Sequence, residues 1–170
     1  MTDTPAFDLP LNILRETPQD HESIEKLNER AFGPGRFARS AYRLRENNSP
    51  DLNLSFVAHV GTMLVGANCM TAIDCGGHAA LLLGPLTVDP AFRQRGIGAA
   101  LVSASLKAAK SGGHRLVLLV GDEAYYKRFG FKRAGLGRLT LPGPVDPMRV
   151  LICELEPGAF DGVTGQVSAI

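Results

Sequence analysis

Seven residues near the middle of the chain, Arg93-Gln94-Arg95-Gly96-Ile97-Gly98-Ala99, have the types and spacing of an anion site. They follow an apolar strand-like run and open a stretch rich in alanine and leucine, which reads as a helix. The first N–H groups of a helix have no intrahelical partner, and they point outward together at the positive end of the helix dipole. Gly96 and Gly98 remove the β-carbons that would hold an anion away, while Arg93 and Arg95 add formal charge nearby. A phosphate or diphosphate is the group that such a turn accepts. The plain alternative is that two glycines serve only a turn or close packing, because G-x-G alone is a weak signal. The flanking arginines, the preceding strand and the following helix together favour the anion. Neither common nucleotide loop is present: no G-K-[ST] follows, and there is no third glycine of a dinucleotide-binding turn.

The segment resembles the acyl-CoA signature of the GNAT superfamily, R/Q-x-x-G-x-G/A, here Arg93-x-x-Gly96-x-Gly98-Ala99 after Leu86-Thr87-Val88-Asp89-Pro90. The resemblance implies that the amides from Gln94 to Ala99 (Gln94, Arg95, Gly96, Ile97, Gly98 and Ala99) bind the pyrophosphate of acetyl-CoA. It also implies that the edge of Leu86, Thr87 and Val88 pairs with the pantetheine arm like an added strand. A second match, Ala124-Tyr125-Tyr126-Lys127-Arg128-Phe129-Gly130-Phe131, is similar to the region that forms the other wall of that site. It places the family's general acid on Tyr126. A phenol titrates near 10, so it is protonated at neutral pH and can donate to a departing thiolate. Tyr125 reads as an ordinary half-buried aromatic. Further matches at Tyr42–Glu46, Leu83–Leu86, Val120–Asp122 and Leu155–Ala159 resemble the YhbS-like branch of the superfamily.

What the resemblance implies for the whole chain is an α/β (α+β) fold. Its central, mostly antiparallel sheet has a parallel strand pair splayed at the cofactor site and about four flanking helices. The implied reaction is direct attack of a small-molecule or protein amine on the thioester in a ternary complex. A CoA-binding regulatory module without catalysis, or transfer from a longer acyl-CoA or carrier-protein donor, are the alternatives. The sequence departs from the family on the strand before the turn, and the family's usual asparagine is not evident in the short loop at Asp122 and Glu123. A glutamate on the strand before the turn often serves as base, yet Ala79–Val88 carries no carboxylate. A water relay, Asp74, His78, Asp122 or Glu123 remain as candidates.

Other chemistry finds less support. Cys75-x-x-His78 lacks a second pair at metal spacing, so no metal is expected. Cys69 lies in an apolar run with no evident activating partner, and His21, His59 and His114 are scattered. Arg36, Arg39, Arg43 and Arg45 read as a solvated helix face, with an acceptor-entrance contact as the functional alternative.

The elements that must position these residues follow from the hydrophobic pattern. Leu11–Arg15 reads as a first strand, and Thr17-Pro18-Gln19-Asp20 as a helix start with Thr17 capping and Asp20 reaching back. That helix runs to Phe32 and stops at Gly33-Pro34-Gly35. A second helix is expected from Arg36 to Glu46. Strands follow at Leu54–Val60, Met63–Ile73 and Ala79–Val88, the last buried on both faces. A helix from Gly96 to Ser111, a strand at Leu116–Val120, a short helix at Ala124–Phe129, a strand from Phe131 and another at Arg149–Leu155 complete the order. Residues 1–9 read as a mobile arm and 157–170 as an extension with a loose strand at Val163–Val167.

The 170 residues suit one domain, with 45% apolar and 21% charged side chains. The net charge of +1 excludes a general field for nucleic acid. Three widely spaced cysteines, no membrane-length apolar run and no leader-like start point to a cytoplasmic protein. The sequence leaves its assembly open between monomer and homodimer.

Overall fold

A computed structural model describes residues 10–33 and 40–170. The expected arm at 1–9 and most of the first turn of the second helix lie outside them. The described residues form a nine-stranded mixed sheet carrying four α-helices, as the resemblance implied. The strands are β1 (Leu11–Arg15), β2 (Phe56–Val60), β3 (Met63–Cys75), β4 (His78–Val88), β5 (Leu116–Val120), β6 (Lys132–Arg133), β7 (Leu139–Thr140), β8 (Val150–Glu154) and β9 (Gly165–Ala169). The helices are α1 (His21–Phe32), α2 (Ser40–Arg45), α3 (Ile97–Ser111) and α4 (Glu123–Tyr126). No helix among the described residues is long and apolar enough to cross a membrane.

Strand order is β1-β2-β3-β4-β5-β8-β6, with β9 pairing both β3 and β7. The long β3 and β4 make the central hairpin, turned at Cys75–His78, where Gly77 N–H donates to Asp74. Four consecutive leucine-rich positions of β4, Ala80–Leu83, are buried, and so is Leu116–Leu119 of β5. These two strands sit between core layers on both sides of the sheet, which is why they read as unbroken apolar runs.

The central pair is parallel, and it is short. Only Leu81 and Leu82 of β4 register with Val117 and Leu118 of β5. Beyond them the strands diverge. On the other edge of β4, Met70 faces Leu83 and Asn68 faces Leu86, so Gly84 and Pro85 together oppose the single Cys69. This is a bulge, with Gly84 at φ +121°, a conformation open to glycine. Proline lacks the N–H of a ladder and is found at such irregularities.

Helix α1 starts as expected. Asp20 accepts from Thr17 N–H at 2.8 Å and from the Thr17 hydroxyl at 3.0 Å, and Pro18 opens a short 3-10 turn before the helix. Helix α3 lies against β3, where Gly66 lets Ile97 and Leu101 approach.

One expectation needs correction. The C-terminal stretch is not a loose extension: Phe160, Val163 and Val167 are buried in the core, and β9 pairs with Ile73–Cys75 of β3. The second helix is described only over Ser40–Arg45, with Arg36 and Arg39 outside the described residues.

Candidate active site

The turn is built by local bonds that fix its approach. Asp89 N–H donates to Val65 O at 2.7 Å, and the Asp89 carboxylate accepts from Ala91 N–H at 3.0 Å and from Arg30 at 3.2 Å. One residue thus ties the end of β4 to β3 through its N–H, and to the following 3-10 turn and α1 through its carboxylate. Thr87, buried in β4, donates its hydroxyl to Asn28 of α1. From there the chain passes through Gln94 (φ +65°) and Gly96 (φ +76°), both left-handed, into α3. Gly96 is the residue just before the helix, and Ile97 and Gly98 are its first two positions. Their N–H groups belong to the unpaired set at the helix start.

A groove of about 530 Å³ lies at this turn. It is lined by Leu86, Thr87, Val88, Arg93, Gln94, Gly96, Ile97, Gly98 and Ala99. Nine of the ten residues singled out for the turn therefore share one concave surface. Arg95 is the exception: its guanidinium sits 5.4 Å from the ring centre of Phe92. A β-carbon at Gly98 would stand 3.1 Å from the Tyr125 hydroxyl, so the glycine keeps that side of the groove open. Among the other lining residues of the groove, two carry polar groups that sequence reasoning did not pick. Arg128 packs over Tyr125 at 4.7 Å and donates to its carbonyl at 2.9 Å, adding a cation to the groove. Tyr125, read as an ordinary aromatic, borders it directly.

A second cavity of about 820 Å³ opens where β4 and β5 part. The two cavities share Phe32, Leu86 and Tyr125, so they form one continuous cleft. Tyr126 lines the larger one, its ring lying against Gly121 at the end of β5. A β-carbon at Gly121 would meet the Tyr126 ring at 2.7 Å, so only glycine permits this placement. Burial, with smaller contributions from Tyr125 and Asp122, pushes the Tyr126 phenol up to about 12. It is a proton donor throughout the neutral range.

The candidates for a base separate. Asp74 and His78 sit at the far end of the central hairpin and do not line the cavity. Glu123 turns to Arg133 at 3.6 Å. Asp122 lines the cavity, is exposed, and pairs with Arg149 at 3.0 Å. Sequence reasoning missed Glu16. It follows β1, is only 7% exposed, lines the cavity, and accepts a hydrogen bond from the Cys69 thiol at 3.2 Å. Burial raises its pKa first of all, Asp20 adds to the rise, and the Cys69 thiol and His21 oppose it. The thiol of Cys69 is itself pushed far up by burial and by Glu16, so it is not a nucleophile.

Arg45 also departs from its solvated-face reading. Its guanidinium reaches within 3.0 Å of where a Gly84 β-carbon would stand, and it lines the cavity. Arg43 is exposed and donates to Pro142 O at 2.9 Å. His21 lines the rim; His59 and His114 do not line the cleft. Cys75 is a buried free thiol, and no group able to hold a metal occurs among the described residues.

The sequence and the fold match known proteins. The acetyltransferase (GNAT) domain model matches residues 51–133. The uncharacterized N-acetyltransferase YhbS of Escherichia coli is 30% identical over 154 residues, 89% of this chain and 92% of its own. The chain belongs to the GNAT acetyltransferase family. Among solved structures, Escherichia coli YhbS in complex with CoA superposes with a TM-score of 0.81 at 30% identity, covering 98% of this chain and 92% of that one. A GNAT acetyltransferase from Brucella melitensis in complex with acetyl-CoA gives 0.72 at 27% identity, covering 95% and 97%. These GNAT relatives confirm the fold and the enzyme class that the motif at Arg93–Ala99 implied.

Proposed function

We propose that the protein transfers an acetyl group from acetyl-CoA to an amine, with the donor lying along the cleft from the Gly-rich turn to Tyr126. The observation that carries this reading is the continuity of the cleft. A basic, glycine-opened groove at a helix start leads past Leu86 and Tyr125 into the cavity that holds a protonated, half-buried phenol. The groove suits a diphosphate in charge, with Arg93 and Arg128 beside unpaired helix N–H groups, and in space, because position 98 has no side chain.

In this reading the backbone of Gln94, Arg95, Gly96, Ile97, Gly98 and Ala99 binds the diphosphate. The free edge of Leu86–Val88, left without a strand partner once β5 diverges, pairs with the amides of the arm. A thioester supplies an activated acyl carbonyl and a thiolate leaving group. Tyr126 holds its proton at the phenol oxygen and donates it to the sulfur as the C–S bond breaks. Apolar walls from Leu83, Leu86 and Leu119 limit competing water. Holding donor and amine in one cleft supplies most of the remaining rate gain.

Calorimetry with CoA and thiol release from acetyl-CoA in the presence of amines test this. Tyr126→Phe should lower kcat by about 100-fold or more while leaving CoA affinity within about twofold. Equal turnover by the phenylalanine variant would remove Tyr126 from the chemistry. Absence of CoA binding by the wild-type protein would overturn the reading as a whole.

A further inference from the structure

The strand that precedes the turn carries no carboxylate, yet the cavity contains a buried one. Glu16 arrives from the end of β1, and its N–H donates to Ser55 O at 2.9 Å, which fixes the backbone beside β2. Its Oε1 accepts from Cys69, the residue of β3 that faces the Gly84–Pro85 bulge. That bulge begins two residues past Leu82, where the parallel pair ends. Glu16 therefore reaches the mouth of the splay from the β3 side. Tyr126 reaches it from the β5 side, and both line the same cavity.

The remaining carboxylates of that cavity are placed differently. Glu25 and Glu46 are exposed, and Asp122 is held by Arg149. The charged groups around Glu16 and its thiol partner are Asp20, His21 and Glu25 from α1 and its entry, and Arg45 from α2. No ion pair to Glu16 occurs among the described residues; a thiol is its side-chain donor. A carboxylate kept this buried with so weak a donor is costly to the fold unless it serves something else.

We propose that Glu16 is the general base of the transfer, acting directly or through one water on a primary alkylamine that enters between α1 and α2. The proposal rests on the acetyltransferase reading above. The amine enters as its ammonium and gives one proton to Glu16, directly or through the water. The freed amine attacks the thioester carbonyl carbon, forming the C–N bond as the C=O pair moves to oxygen, and the nitrogen releases a second proton to solvent. The C=O pair reforms, the C–S bond breaks, and the sulfur takes the Tyr126 proton. Exchange with solvent moves the proton from Glu16 back to the phenolate, so the sum is ammonium plus thioester to amide plus thiol and one solvent proton. Cys69 is a positioning residue: its thiol orients the carboxylate. Burial also raises the basicity of Glu16, which suits a base working near neutral pH.

The test uses the full chain, CoA calorimetry, and thiol release from acetyl-CoA with two probes, n-butylamine and hydroxylamine. The first is an ammonium at neutral pH and the second is largely neutral. Glu16→Gln should cut kcat/KM for n-butylamine by about 100-fold or more and abolish the acid limb of its pH profile. Hydroxylamine should lose less than about tenfold, and CoA affinity should stay within about twofold. Glu16→Asp should keep the acid limb at a reduced rate, a rescue that a packing role would not give. A Gln variant that binds CoA and retains the wild-type rate and acid limb overturns the proposal alone. Wild-type protein that binds CoA but releases no thiol to n-butylamine overturns the acceptor class. Wild-type protein that binds no CoA overturns the acetyltransferase reading, and the proposal with it.

Discussion

A carboxylate placed at position 98 should separate binding from folding, because the two respond to it in opposite directions. Gly98 is the second residue of α3, and its φ is not in the left-handed region, so a side chain there is free of backbone strain. Aspartate in the first turn of a helix is favourable by about 0.3–1 kcal/mol through the dipole. The new β-carbon would stand 3.1 Å from the Tyr125 hydroxyl, which is a side-chain end and can give by a few tenths of an ångström. The melting temperature of Gly98→Asp should therefore stay within a few degrees of wild type. Binding should fall. One charge about 5 Å from a diphosphate of about two charges costs ~1.7 kcal/mol even at the permittivity of water, or ~20-fold in Kd. Gly98→Asn brings the same shape without the charge, so the ratio of the two Kd values isolates the electrostatic part. Calorimetry with CoA at about 10 mM salt should show it in full, and about 150 mM salt should shrink it by roughly half, since the screening length falls to about 8 Å. If the folded Asp and Asn variants bind CoA equally at low salt, the diphosphate does not lie against α3 and the assignment of the turn is wrong.

Gly121→Ala should lower turnover at least about tenfold while CoA affinity changes little, because the added methyl collides with the Tyr126 ring at 2.7 Å and moves the phenol; overpacking of this kind costs about 1–3 kcal/mol of stability, read as a lower urea midpoint. The Tyr126 phenol, pushed up to about 12 by burial, should appear in ultraviolet difference titration as a phenolate that forms well above the ordinary tyrosine range and is missing from Tyr126→Phe. Because its folded value exceeds the unfolded value near 10, the folded state holds the proton longer between about pH 10 and 12. That contribution to stability is complete below about pH 10 and disappears as pH rises through about 12, so urea midpoints of wild type should fall more steeply over this range than those of Tyr126→Phe.

The parts of the site that are local in sequence were legible there. The turn from Arg93 to Ala99 carries its glycines, its cations and its helix within a few residues, so spacing alone brings them together. Leu116–Val120 was bounded to the residue because a short run buried on both faces has sharp ends. Tyr126 was found through its register with Gly130-Phe131. What stayed hidden depends on contacts across the chain. Glu16 looks like any polar residue before a helix, and its partner Cys69, 53 positions later, meets it only in the folded chain. Arg45 sits on a short helix with basic neighbours, and the space its guanidinium occupies in the cavity lies beside Gly84, a strand away. Tyr125 and Tyr126 are adjacent and chemically identical; in the structure Tyr125 borders both cavities and Tyr126 only the larger one. The two-residue strands β6 and β7 are too short for any period, and β9 exists because β3 runs past β2 and leaves an edge to pair.

The bulge at Gly84–Pro85 links these observations. A proline inside an apolar run argues against an ordinary central strand, and here β4 continues through it only by giving up regular pairing. The consequence falls on both edges. Toward β3, Cys69 stands alone opposite two residues, and its thiol holds Glu16 at the cavity wall. Toward β5, pairing has already ended at Leu82, which leaves the Leu86–Val88 edge unpartnered up to the Gly-rich turn. A regular β4 would close the cleft on one side and shift the register of Cys69 on the other. The proposed donor edge and the proposed base position therefore both adjoin one irregularity, the glycine and proline in the middle of the central hairpin.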